Sequence, residues 1–143
     1  MPPENVRTAE QARFSLEYAV SAAILDGEIG LRHFQEEMIA REKTRNLMKK
    51  VHVHVPPDLQ SLESKRNRYS EITIYLSDGG VLTHRARHIR GQPPLFLTEL
   101  EVDKKFFDCA VPVIGREKAQ DLLTCLRRSE TLASAHEIFS LVG

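Results

Sequence analysis

The sequence predicts a small α+β fold, and three observations carry that prediction. Apolar residues recur at spacings of three and four up to about residue 50, and again from about residue 98 to the end. Between those stretches the period drops to two, and the pair Asp78-Gly79 interrupts the alternation as a turn would. Helices, then a small, mostly antiparallel sheet, then helices is the order of an α+β domain rather than of repeated βαβ units.

The first strong helix starts after Ser15, a residue type whose hydroxyl accepts an unpaired backbone N–H, and stops at Asp26-Gly27, where glycine takes the left-handed conformation cheaply. Its spacing puts Leu16, Ala19, Val20, Ala23 and Ile24 on one face, expected to be the inner one. "GLRHFQEEMIA" and "EKTRNLMKK" read as two short amphipathic helices, with Leu31, Phe34 and Met38 inward in the first and Leu47 and Met48 in the second. "KVHVHVP" reads as a strand with Val51, Val53 and Val55 on one face and His52 and His54 on the other, ended by Pro56-Pro57. "SEITIYLSDGGVLTHRARHI" reads as a hairpin about a two-residue type I′ turn at Asp78-Gly79. That register places Ile72, Ile74, Leu76 and Val81 together, and Tyr75, Leu82, His84 and Ala86 on the opposite face. Thr98 with Glu101, and Ser134 with Glu137, carry the capping-box signature of a helix start. One helix is expected to end near Pro112, and a following one to bury Ala119, Leu122, Leu123 and Leu126.

Twenty basic side chains balance twenty acidic ones, so composition asks for neither nucleic acid nor an anionic membrane as partner. No apolar run reaches the roughly 18 residues of a membrane span, and "MPPENVRTAEQ" has neither the basic start nor the apolar centre of a signal peptide. Cys109 and Cys125 stand outside any CxxC or metal-ligand spacing and are expected to be reduced, buried thiols of a soluble protein.

Few residues carry chemistry on spacing alone. His52 and His54 share a strand face without a third ligand, so no metal site is expected. His84 and His88 are too far apart along a strand for one ion. In "HIRGQPP", Arg90 beside Gly91 offers either a fork of donors to a carboxylate or simply a structural turn. Tyr18, three residues after Ser15, lies near unpaired helix N–H groups. Its phenol is either a proton-handling group or a packed aromatic with its hydroxyl at the rim.

The segments "EQARFSLEYAVSAAILDGEIGLRHF", "VHVHVPPDL", "ITIYLSDGGVLTHRARHIRGQPP" and "KKFFDCAVPVIG" resemble, in that order, the C-terminal part of the MmgE/PrpD family. The resemblance runs from about residue 8 to the end. It implies an α+β lid over residues 1–96, a helical segment over 97–143 that returns to a separate all-helical domain, and a strand preceding the lid. It further implies a lyase that needs no cofactor and moves a proton next to a carboxylate of a di- or tricarboxylic acid, most similar to 2-methylcitrate dehydratase of propionate metabolism. Tyr18 matches an active-site tyrosine of the family and is expected to be catalytic, with Arg90 as a substrate anchor. The family's other catalytic groups lie upstream, so the chain alone is expected to be inactive. Its implied partners are the carboxylic acid, an N-terminal helical domain and, as an assembly, a homodimer. The implied location is the cytoplasm, or the mitochondrion in a eukaryote. A non-catalytic docking or assembly module built on the lid is the alternative. Glu17 stands where the family often has proline, and Leu95-Phe96 where an asparagine-proline pair is common.

Overall fold

A computed structural model describes residues 5–59 and 69–142, which form seven α-helices and one two-stranded antiparallel sheet. The first four residues of the N-terminal stretch read above lie outside that range. The chain divides into two compact units, residues 1–53 with 103–143, and residues 54–102.

In the first unit, α1 (Ala9–Arg13) and α2 (Leu16–Asp26) start on local caps. The Thr8 hydroxyl accepts from Gln11 N–H while the Gln11 side chain accepts from Thr8 N–H, a capping box the periodicity did not reveal. The Ser15 hydroxyl accepts from Tyr18 N–H at 3.1 Å. Gly27, at φ 75°, closes α2 with its N–H on the Ala23 carbonyl at 2.9 Å.

The face that α2 buries is not the expected one. Tyr18, Ser21 and Ala22 point inward, while Leu16 is 61% and Ile24 46% exposed. Both faces of α2 are apolar, so spacing alone cannot choose between them. Within this unit the choice goes to the side where Ser21 and Ala22 are small enough to admit a neighbour closely. That neighbour is α4 (Glu42–Met48).

"GLRHFQEEMIA" is not one helix but a 3₁₀ turn, Leu31–Phe34, and a short α3, Glu36–Ala40, separated at Gln35, whose backbone is extended. The break changes the inward set: His33 and Ile39 are buried, Phe34 and Met38 partly so, and Leu31 is exposed. Val6, Ala12, Tyr18, Ala22, Ile39 and Met48 form the core, with Phe34 against it. In α4, Met48 is buried and Leu47 half-buried, close to expectation.

Residues 51–56 form no regular strand, and Val53 and Val55 are exposed. Alternation sets which way side chains point, but a strand also needs a regular hydrogen-bond ladder, which alternation alone does not provide. The sheet therefore has two strands there, not three.

From Asp103 onward α5 (Glu99–Ile114) belongs to the first unit, and it ends at Ile114, near Pro112 as expected, with the proline inside its last turn. Proline removes one N–H donor there, yet Gly115 N–H still reaches the Val111 carbonyl at 3.0 Å. Next, α6 (Arg116–Arg127) buries Ala119, Leu122, Leu123 and Cys125, while Leu126 is more exposed than expected. Cys109, on α5, is exposed rather than buried. α7 (His136–Phe139) packs on α6, and its start uses Glu137 as the signature predicts, with the carboxylate accepting from Ser134 N–H at 3.3 Å.

The second unit holds the hairpin of β1 (Ser70–Tyr75) and β2 (Val81–Ala86). Its turn differs from the expected one. Gly79, at φ 88°, has its N–H on the Leu76 carbonyl, Leu76 N–H bonds the Gly80 carbonyl, and among the described residues none other than glycine has positive φ. These bonds make a three-residue loop with glycine in the left-handed position, whereas a type I′ turn would require positive φ at Asp78 as well. The register therefore slips by one, which moves every β2 side chain to the other face. Ile74 now faces Leu82 and Ile72 faces His84, while Tyr75 faces Val81 and Thr73 faces Thr83. The outcome is one face with Ile72, Ile74 and Leu82, and another carrying the Arg85–Glu71 ion pair at 2.7 Å and the Thr73–Thr83 hydroxyl pair at 3.2 Å. His88 lies past the end of β2.

Truncating Met48 to alanine removes one of the largest fully buried side chains of the first unit. A loss of about 2–5 kcal/mol is expected, read as a lowered denaturant midpoint, whereas Leu16→Ala on the outer face of α2 is expected to change the midpoint little.

Candidate functional site

The first unit gathers its polar side chains around α2. Tyr18 is 1% exposed, its ring 6.2 Å from that of Phe34 and tilted to it. Its hydroxyl donates to the backbone carbonyl of His33. Burial pushes the phenol's pKa upward, with Arg41 opposing and Asp26 reinforcing the shift.

His33 is itself fully buried. Gly30 N–H donates to His33 Nδ1 at 2.9 Å, and the same nitrogen lies 3.2 Å from the Gly30 carbonyl. The other ring nitrogen, Nε2, faces Asp26 Oδ2 at 3.5 Å and has no hydrogen-bond partner among the described residues. Asp26 is held on its other side by both terminal nitrogens of Arg41, at 2.9 and 2.6 Å, and Arg41 Nε bonds the Thr44 hydroxyl at 2.9 Å. This bidentate pairing holds the Asp26 carboxyl below its ordinary range. The buried Ser21 hydroxyl likewise lacks a partner among the described residues.

The arrangement is a line of contacts from Thr44 through Arg41 and Asp26 to His33, whose carbonyl meets the phenol. Sequence reading singled out Tyr18 and passed over the other four. Spacing gave no signal for them, because Asp26 stood in a helix stop and His33 within a stretch read as a short amphipathic helix.

Arg90 belongs to the second unit. Gly91, at φ 89°, turns the chain after it, its N–H on the Leu95 carbonyl at 2.7 Å, and Pro93-Pro94 is cis. The guanidinium donates to Oε1 of Glu101, so the fork expected to take a carboxylate holds one from its own chain. Glu101 Oε2 meanwhile accepts from Thr98 N–H and from the Thr98 hydroxyl, both at 2.8 Å, and Glu101 N–H donates to that hydroxyl, completing the predicted capping box. Arg90 and then Thr98 depress the Glu101 carboxyl to about 2. Tyr18 and Arg90 thus sit in different units, each with its partners in place.

Among the described residues no group of three or more His, Cys, Asp or Glu is placed to hold a metal ion, and no helix is long and apolar enough to cross a membrane. A shallow depression of the first unit, lined by Asp121, Thr124, Cys125, Arg128, Glu137, Ser140 and Leu141, includes neither candidate residue.

Because the folded carboxyl of Glu101 is depressed, its stabilising share is complete above the unfolded value of about 4.3 and is lost as pH falls toward about 2. Carboxyl-resolved NMR titration is expected to show Glu101 as the last glutamate resonance to protonate, and Arg90→Gln is expected to move it back toward the ordinary value.

Residues 2–131 match the family model for the MmgE/PrpD C-terminal domain. Cis-aconitate decarboxylase of Mus musculus is 32% identical over 122 residues, 85% of this chain and 25% of that protein. Cis-aconitate decarboxylase of Homo sapiens is 30% identical over 132 residues, 92% of this chain and 27% of that protein. The chain therefore spans about a quarter of the length of these curated relatives. With a family model covering most of its length, the chain belongs to the MmgE/PrpD family.

Proposed function

We infer that this chain is the C-terminal portion of a lyase acting on a di- or tricarboxylic acid, with Tyr18 handling a proton next to a substrate carboxylate. The observation that carries the reading is the match of residues 2–131 to the family's C-terminal domain. The names of the two relatives favour decarboxylation of cis-aconitate as the reaction. Loss of carbon dioxide leaves negative charge on carbon, and a proton must reach that carbon. Dehydration of 2-methylcitrate is the second reading, supported by the motifs quoted from this sequence, and it also turns on a proton next to a carboxylate.

Arg90 is the proposed anchor for a substrate carboxylate, and its hold on Glu101 supports this by showing that the guanidinium accepts such a group. The remaining acid and base groups would come from an N-terminal helical domain. The outer face of α2 supports such a partner, since Leu16 and Ile24 are exposed on it and Phe14, at the end of α1, is exposed just before it. A soluble compartment, the cytoplasm or the mitochondrion, suits these substrates.

A chimera in which this chain replaces the matching quarter of the mouse relative tests the reading. The chimera is expected to release carbon dioxide from cis-aconitate, and the chain alone to turn over neither acid. Tyr18→Phe is expected to lower kcat about a hundredfold or more, and Arg90→Gln to raise KM with a smaller effect on kcat. A folded chimera inactive on both cis-aconitate and 2-methylcitrate would overturn the lyase reading in favour of a non-catalytic docking module.

A further inference from the structure

His33 meets α2 twice: its carbonyl receives the Tyr18 hydroxyl from the first turn, and its ring faces Asp26 at the last residue. These two α2 residues are eight positions apart, about 12 Å along a helix axis, so His33 alone reaches toward both ends of α2, by its carbonyl at one and its ring at the other. The ring is not free to rotate, because Gly30 N–H holds Nδ1 and the fully buried site leaves no solvent to replace that bond. Asp26 in turn is fixed by Arg41, and Arg41 by Thr44.

We propose that His33 is the positioning residue for the Tyr18 phenol, its imidazole locking the turn so that its backbone carbonyl fixes where the phenolic proton points. The function of that proton rests on the lyase reading above, but the positioning itself does not. Side-chain chemistry at residue 33 sets the geometry of a bond made by its main chain. A bulky apolar residue that merely filled the same volume would leave Gly30 N–H without its acceptor and let the carbonyl shift. The charged groups acting on the phenol, Asp26 and Arg41, belong to the same line of contacts and are unchanged in the variants below.

The test follows the ionisation of Tyr18 in the full chain by NMR of ring-labelled tyrosine, its resonance assigned by its loss in Tyr18→Phe. Donation to a carbonyl favours the neutral phenol, so losing that bond must raise the ionisation constant. His33→Phe is expected to raise it about tenfold. His33→Gln, which misplaces the acceptor for Gly30, is expected to raise it severalfold. His33→Asn keeps an acceptor at the Nδ1 position and is expected to stay within about twofold of the parent. The asparagine and glutamine variants decide the matter if the phenylalanine variant fails to fold. Phe34→Leu serves as the structural control, expected to lower thermal stability while leaving the ionisation constant within about twofold. If Phe34→Leu moves it as far as His33→Gln, or if His33→Gln leaves it unchanged, His33 is a core filler and the proposal is wrong. In the chimera, His33→Gln is expected to lower kcat with KM held. An inactive chimera with the ionisation shift intact sinks the lyase reading and leaves the positioning standing.

Discussion

The hydrogen bond from the Tyr18 hydroxyl to the His33 carbonyl is the constraint around which the first unit is arranged. It lies inside the core, so both groups have given up water and each depends on the other. Satisfying it requires Tyr18 to face inward, and α4 must pack closely on that same side of the helix. That requirement selects the side of α2 where Ser21 and Ala22 are small. Once this side is inward, Leu16 and Ile24 must face out, however apolar they are.

Several helix starts and stops were legible because their physics is local, although the Thr8 cap and the break at Gln35 were not. Ser15 and Gly27, Thr98 with Glu101, and the carboxylate of Glu137 each act within about one turn of their own position. The family was legible too, since four ordered motifs span most of the chain. The inner face of α2 was not, because a helix apolar on both sides satisfies the same periodicity whichever way it rolls. The hairpin shows a different limit. Asp78-Gly79 marks the turn correctly, but one residue of loop length decides which side chains share a face, and composition does not encode that residue. At residues 51–56 the alternating pattern was real, yet the described residues form no regular strand there.

Around Tyr18, what could not be read was the company it keeps. Asp26, His33, Arg41 and Thr44 are distant in sequence from the tyrosine or unremarkable in type, and only folding brings them into line. Arg90 teaches the complementary point: a fork of donors suited to a carboxylate was legible, and the fold supplies an internal carboxylate, Glu101, to fill it. On the lyase reading proposed above, a substrate would meet a guanidinium already oriented and partly neutralised by Glu101.

The Tyr18 contact also bears on whether a phenol so placed can work on a substrate at all. Its one proton is directed at a backbone carbonyl, so as it stands the hydroxyl can accept from a ligand but not donate to it. To donate it must change acceptor. A net hydrogen bond is worth about 0.5–1.5 kcal/mol, whereas a positioned acid or base contributes about 10²–10⁴ in rate, or about 3–5 kcal/mol off the barrier. Exchanging the His33 carbonyl for a substrate oxygen is thus small against what the phenol would contribute, provided the hydroxyl need not travel far. Burial favours the same outcome, because a phenol kept neutral by its surroundings retains the proton until an acceptor of higher basicity arrives. The bond that organises the unit and the chemistry inferred for the residue are therefore compatible, and the turn at residues 31–34 is where they meet.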